Sequence, residues 1–172
     1  PLQLGRLRLS VAPIDGERLQ AALSAARVDP ATLFPERGAD LRGFTVEGGL
    51  GAHKWADRRL LEALERKAGE ALPLVLDSDG SVIEASRAHV FAVRDGTLLT
   101  PPADGRMIAG ITRRRVLELA RDAGYGAGEE RLSVDDLLRA DEVFLTGSVR
   151  GVEPVAAIDG VPLGAGSRIT AE

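Results

Sequence analysis

Two lysines, Lys54 and Lys67, stand among 22 basic residues, the rest being arginine. An arginine keeps its proton at any ordinary pH, whereas a lysine amine can lose it and act as base or nucleophile. A coding bias toward arginine accounts for the ratio, and the two exceptions mark where amine chemistry could sit. Lys67 lies among Glu65, Arg66 and Glu70, as on a solvated surface. Lys54 sits in Gly48-Gly49-Leu50-Gly51-Ala52-His53-Lys54-Trp55. A carboxylate, Glu84, interrupts the apolar run of Val82-Ile83-Glu84-Ala85, which makes an inward-facing acid credible. Gly110-Ile111-Thr112 opens an amphipathic segment, and the N–H groups at such a helix start can hold an anion. Gly147-Ser148 closes an apolar run and adds a small hydroxyl. Asp77-Ser78-Asp79-Gly80 begins like a calcium loop, but Val82 and Ala88 stand where the loop needs glycine and glutamate. It reads as a turn.

These residues need elements to position them. Leu7 to Val11 alternates and predicts a strand. After Pro13 and the Asp15-Gly16 turn, Leu19, Ala22, Leu23 and Ala26 fall at helical spacing and predict a helix. Pro30, Pro35 and Gly38 break the chain into a loop. Phe44 to Glu47 predicts a short strand leading to the glycine stretch, and a helix follows from about Asp57 with Leu60, Leu61, Leu64 and Ala68 on one face and Gly69 as its stop. The centre predicts strands over Leu72 to Leu76, Ser81 to Ala85, Val90 to Val93 and Thr97 to Leu99, with turns at Asp77 to Gly80 and Asp95-Gly96. Thr112 is the expected cap of a helix over Arg113 to Ala123. Ser133 and Asp136 have the spacing of a capping box. Glu142 to Thr146 and Val152 to Ile158 read as strands.

The pattern is mixed α/β (α+β), a central and largely antiparallel β assembly with flanking helices. Regular strand-helix alternation is lacking, and Gly49, Gly51 and Lys54 fail the dinucleotide fingerprint, so a doubly wound fold is not expected. At 172 residues the chain fits one domain, with 44% hydrophobic and 28% charged residues. No apolar run approaches the roughly 20 residues of a membrane span. No signal-peptide pattern opens it, so a cytoplasmic location is expected. A net charge of −4 offers no general pull toward nucleic acid or anionic lipid. The absence of cysteine removes disulfides, thiolate metal sites and thiol catalysis.

Five pieces in order carry a family resemblance. They are Gly-Leu-Gly-Ala-His-Lys54-Trp-Ala-Asp-Arg-Arg, Leu-Val-Leu-Asp-Ser-Asp-Gly-Ser-Val-Ile-Glu84-Ala-Ser-Arg-Ala-His-Val-Phe, Leu-Leu-Thr-Pro-Pro, Ala-Gly-Ile-Thr-Arg and Glu-Val-Phe-Leu-Thr-Gly-Ser. Together they resemble the class IV aminotransferases, the fold-type IV pyridoxal-phosphate enzymes, from about residue 44 to the C-terminus. The family includes branched-chain and D-amino-acid aminotransferases and 4-amino-4-deoxychorismate lyase. The Lys-x-x-x-Arg segment and the Asp77 to Gly80 hairpin look most like the lyase.

The resemblance implies pyridoxal 5'-phosphate as cofactor. It implies that Lys54 forms the Schiff base, that Glu84 partners the pyridine nitrogen, and that Ile111, Thr112 and Ser148 hold the phosphate. Arg58, which would share a helical face with Lys54, belongs either near the site or in a surface pair with Glu62. His53 is either a supporting residue or polar filler. The implied reaction is cleavage of 4-amino-4-deoxychorismate to p-aminobenzoate and pyruvate, a folate-precursor step. Amino transfer from branched-chain or D-amino acids is the alternative, and a catalytically inactive binding module the second. A cytoplasmic homodimer acting on a small amino substrate, without nucleic acid or membrane partners, is expected.

Three departures accompany the resemblance. His89 stands where the family usually has asparagine, and Asp57 where the lyase usually has asparagine. The family's N-terminal lobe, with its phosphate-binding arginine, has no counterpart before Lys54. Residues 1–172 are therefore expected to form a single cofactor-binding domain of a longer protein, with 1–43 partly an inter-lobe segment, and the ending at Ile169-Thr170-Ala171-Glu172 is abrupt for the family.

Overall fold

The computed structural model of the chain describes residues 4–35 and 37–164, so the ending at Ile169-Thr170-Ala171-Glu172 lies outside the described residues. In chain order the elements begin with β1 (Gly5–Pro13), β2 (Leu19–Arg27), a 3-10 turn at Pro30–Thr32 and β3 (Ala39–Thr45). α1 (Arg59–Ala68), β4 (Leu72–Leu76), β5 (Val82–Ala85), β6 (His89–Arg94), β7 (Thr97–Thr100) and α2 (Ile111–Asp122) follow. β8 (Gly126–Glu129), α3 (Val134–Leu138), β9 (Glu142–Gly147), β10 (Gly151–Ile158) and β11 (Val161–Pro162) complete the described chain.

One large sheet runs β5-β4-β3-β10-β9-β6-β7-β8, with β11 on β10. The β4–β5, β9–β10, β6–β9 and β6–β7 ladders are antiparallel, and β3–β4, β3–β10 and β7–β8 are parallel. The expected mixed α/β fold with a largely antiparallel centre is what the chain adopts. Its main core packs Leu74, Val82, Ala85, Val90, Leu137 and Leu145 on one face, while Phe91 and Phe144 stack under Leu117 and Ala120 of α2 on another. α1 turns Leu61, Leu64 and Ala68 inward and ends at Gly69 as its spacing predicts, but it begins at Arg59 rather than about Asp57 and leaves Leu60, expected on the same face, exposed. α3 carries the Ser133–Asp136 capping box in full.

The helix expected over Leu19 to Ala26 is instead strand β2. Its nine residues pair with β1 from Pro13↔Leu19 to Gly5↔Arg27. Leu7, Leu9 and Val11 stand opposite Ala25, Leu23 and Ala21, so one face of the hairpin is apolar and the other carries Arg6, Arg8, Ser10, Ser24 and Gln20. A spacing of three and four residues in an alanine-rich run fits a helix stripe, but the inter-strand ladder satisfies the same backbone. The short strand expected at Phe44 to Glu47 is longer and earlier, because β3 pairs in parallel with β4 and β10 from Ala39 onward. Thr112 is not the cap of α2: Gly110 is the N-cap, and no side chain caps the helix. Strand β8, in Gly-Ala-Gly-Glu, has no strand signature and forms by pairing with β7.

Candidate active site

β5 positions the acid. The β4–β5 register shifts between Val75 and Leu76, leaving Ile83 as an extra residue and setting Glu84 opposite Val75. Such a bulge re-aims side chains at the edge of a sheet. Glu84 is 7% exposed, and burial pushes its carboxyl up to about 7, with the positive charge of Lys54 pulling the other way. Its carboxyl makes no hydrogen bond among the described residues. A buried acid facing an amine, with its hydrogen-bonding capacity unspent, can pair with a further proton-bearing group.

The charge of Lys54 acts on that acid from a loop. Residues 46–58 carry no regular element, and Lys54 itself is exposed. Gly51 donates its N–H to the Arg106 carbonyl at 3.0 Å, and Gly48 donates to Asp77 Oδ1 at 3.1 Å. Gly49 (φ +71) passes so close to Arg106 that a Cβ would lie 2.3 Å from its carbonyl oxygen. After Gly51 the contacts turn local: His53 and Trp55 lie with ring centroids 5.7 Å apart, and Asp57 Oδ1 accepts from the Arg59 N–H at 3.0 Å before α1.

The third part is the start of α2. Gly110 (φ +45) meets the ring of His89, where a Cβ would come within 2.3 Å of Cε1. His89 Nε2 lies 2.7 Å from the Ile108 carbonyl, and since a carbonyl only accepts, the proton sits on Nε2. Burial lowers the His89 pKa against the pull of that hydrogen bond, and the positive charges of Arg113 and Lys54 lower it further. His89 thus stays neutral beside a helix N-terminus whose first N–H groups have no side-chain cap. Across the β6–β9 ladder its partner is Thr146, whose Oγ1 is buried without a hydrogen-bond partner. Arg113 is 3% exposed, donates to the Pro101 carbonyl at 2.6 Å and pairs with Glu129 at 3.1 Å.

The charge of Lys54 acts on both Glu84 and His89, that of Arg113 acts on His89, and Gly110, the N-cap of α2, meets the His89 ring. Ile111 is exposed and Thr112 half-buried at the first turn of α2. Ser148 follows β9, two residues beyond Thr146, and is exposed; it lines a cleft of about 310 Å³ with Leu4, Arg6, Val28 and Leu33. Arg58 does not share a helical face with Lys54, because α1 begins only at Arg59. Nor does it form the surface pair with Glu62: its charge acts on Glu65, the partner of Arg87. Lys67 lies at the surface, its carbonyl accepting from Arg42. A larger open groove of about 580 Å³, bordered by Asp40, Arg42 and Asp159, shares none of the site residues. Gly110 belongs to the Gly110-Ile111-Thr112 stretch already marked in the sequence, whereas Arg106, one arginine among many, carries no signal of its role there.

A family model described as class IV amino-transferase matches residues 55–158, beginning one residue after Lys54. The branched-chain-amino-acid aminotransferase of Salmonella typhimurium is 37% identical over 101 residues, which are 59% of this chain and 33% of that protein. The chain thus matches about a third of the length of that relative. Among solved structures, a Legionella pneumophila protein described as a candidate 4-amino-4-deoxychorismate lyase superposes with a TM-score of 0.82 at 21% identity, over 97% of this chain and 66% of that one. A Mycobacterium tuberculosis protein described as a hypothetical aminotransferase, in its PLP-bound form, gives a TM-score of 0.83 at 25% identity over 93% of this chain and 62% of that one. With the family match extending over more than half of its residues, the chain belongs to the class IV aminotransferases.

Proposed function

We propose that this chain is the cofactor-holding part of a pyridoxal-phosphate enzyme that acts on a small amino substrate. The observation that carries this reading is the buried Glu84, whose carboxyl makes no hydrogen bond among the described residues and feels the charge of Lys54. The residues present fit the cofactor in kind: an amine, a buried acid on which that amine's charge acts, and a helix start without a side-chain cap. Bound there, pyridoxal phosphate supplies an electron sink for the bond broken at the substrate carbon. Lys54 Nζ would hold the cofactor, and as a free amine it would take a proton from the substrate carbon and return it. Glu84 would favour the protonated state of the cofactor's ring nitrogen. The N–H groups of Ile111 and Thr112 and the hydroxyl of Ser148 hold the phosphate, with the helix N-terminus contributing its dipole.

The reaction favoured is cleavage of 4-amino-4-deoxychorismate to p-aminobenzoate and pyruvate. Support comes from Lys54-Trp55-Ala56-Asp57-Arg58, in which no tyrosine soon follows the lysine, and from the Asp77 to Gly80 hairpin. Amino transfer is the second reading, favoured by the 37% identity to a branched-chain aminotransferase. Both use the same amine and the same acid, so substrate contacts decide between them. The test is to mix the protein with pyridoxal phosphate, reduce with borohydride and locate the pyridoxyl group by peptide mass analysis. It should lie on Lys54; labelling of Lys67 instead would refute the assignment. Parallel assays for p-aminobenzoate release and for amino transfer to a keto acid then separate the two reactions. Efficient transfer with no p-aminobenzoate formed would overturn the lyase. A homodimer belongs to the same reading, and sedimentation at several concentrations tests it.

A further inference from the structure

The loop that bears Lys54 is anchored by one residue from outside it. Arg106 lies between β7 and α2, with its side chain 16% exposed, and uses both its backbone and its guanidinium. Its carbonyl accepts the Gly51 N–H at 3.0 Å. Its Nη1 donates to Asp77 Oδ2 at 2.8 Å and to Ser81 Oγ at 3.2 Å, and its Nη2 to Asp104 Oδ2 at 2.8 Å. Asp77 in turn takes the Gly48 N–H on its other oxygen. The guanidinium beside Asp77, together with the Gly48 and Ser78 N–H groups, holds that carboxyl down at about 2. The next residue, Met107, is 1% exposed and packs with Val75 and Ile83 against Leu50 of the lysine loop. One residue further on, the Ile108 carbonyl is bonded to His89, and Gly110 then opens α2.

We infer that Arg106 is a positioning residue that ties the Lys54 loop and the start of α2 to one strut, residues 104–110, through its carbonyl's bond from Gly51 and its ion pair with Asp77, which in turn accepts from Gly48. Among the described residues, the hydrogen bonds and the ring contact of the loop past Gly51 are local up to α1, so the Arg106 anchor sets where the lysine amine stands. A planar fork bonded on three sides defines orientation as well as charge, which a lysine at the same place would not do. The glycines at 48, 49 and 51 agree with this arrangement, because the loop must run hard against the Arg106 backbone. This inference rests on the reading of Lys54 as the cofactor-binding amine.

The test compares the parent chain with Arg106→Gln, Arg106→Lys and Asp77→Asn, and with Ser81→Ala as a milder variant that leaves the ion pair in place. The readouts are amide hydrogen exchange of the peptide covering residues 46–58 without cofactor, and the rate of borohydride-trappable adduct formation at Lys54. Arg106→Gln is expected to speed exchange of that peptide and slow adduct formation, each about tenfold. Arg106→Lys should recover only part of either, and Arg106→Gln combined with Asp77→Asn should be no worse than the more severe single change. Ser81→Ala should shift both readouts in the same direction by less. Unchanged exchange in Arg106→Gln overturns the anchor, and faster exchange with unchanged adduct formation overturns its positioning role. A parent chain that yields no adduct on Lys54 overturns the functional reading instead, so the two failures are distinguishable.

Discussion

Glu84 and the lysine whose charge acts on it, Lys54, stand in opposite kinds of structure. Glu84 is part of a strand whose four residues are all buried, and the surrounding sheet holds it without any polar contact to its carboxyl. Lys54 is exposed, on a loop held by hydrogen bonds and an ion pair, with a small apolar cluster of Val75, Ile83 and Met107 beneath. The acid therefore depends on hydrophobic packing, which is indifferent to salt and pH, while the amine depends on polar anchors, which are sensitive to both. Burial alters the acid's protonation and leaves the amine's loop free to admit a ligand. A site that must keep one charge shielded and another reachable is served by this division.

The sharpest break of the comparison removes the amine. Lys54→Ala should abolish borohydride-trappable cofactor and lower turnover by roughly a thousandfold or more, yet leave the melting temperature unchanged, because its loop is outside the core. Glu84→Gln should retain part of the cofactor and lose about a hundredfold in turnover, read by steady-state assay. The same substitution tests the acid's burial in the cofactor-free protein. With its carboxyl raised from 4.5 to about 7, the folded state holds a proton through that window that the unfolded state has released. Stability therefore falls as pH rises from about 4.5 to 7, by up to about 3 kcal/mol. Thermal melts across this range should show the fall in the parent and a flatter profile in Glu84→Gln, which should be the more stable protein at pH 8.

A smaller effect is expected where the two supports meet. Gly110→Ala places a methyl group 2.3 Å from His89 Cε1 at a φ of +45. It should cost about 2 kcal/mol by denaturant unfolding and weaken cofactor retention, since the helix start must move. The smallest concerns Arg59, whose pair with Asp57 lies at the surface and holds the Asp57 carboxyl down at about 2. Arg59→Gln should leave the melting temperature and the adduct rate as they are, because an exposed pair beside α1 is well screened. A large loss there would show that the lysine loop is anchored from the α1 side as well.

Much of the fold was legible because it is locally encoded. The turns at Asp77 to Gly80 and Asp95-Gly96, the Leu61, Leu64 and Ala68 face of α1 with its Gly69 stop, and the Ser133–Asp136 box depend on residues a few positions apart, so their spacing suffices. The candidate site was legible as a set of residue types in order: a rare lysine, an acid in an apolar strand, and a glycine before a helix. Arg58 and Thr112 were placed by helical spacing that ignores where a helix actually begins, and both differ from expectation for that reason.

By itself, then, the sequence determined the family motifs, the central turns, the Ser133–Asp136 capping box and the residue types Lys54 and Glu84 as candidates. Tertiary structure decided what depends on distant partners. Leu19–Arg27 became a strand because a nine-residue ladder with Gly5–Pro13 satisfies its backbone, and Gly126–Glu129 because the edge of Thr97–Thr100 was open to it. Glu84 has a raised pKa because the surrounding sheet buries it, and Arg106 holds the lysine loop because Asp77, Ser81 and Asp104 meet its side chain and Gly51 its carbonyl. A carboxylate or an arginine looks the same in any sequence, and its chemistry is set by the dielectric and the partners that the folded chain brings within a few ångströms of it.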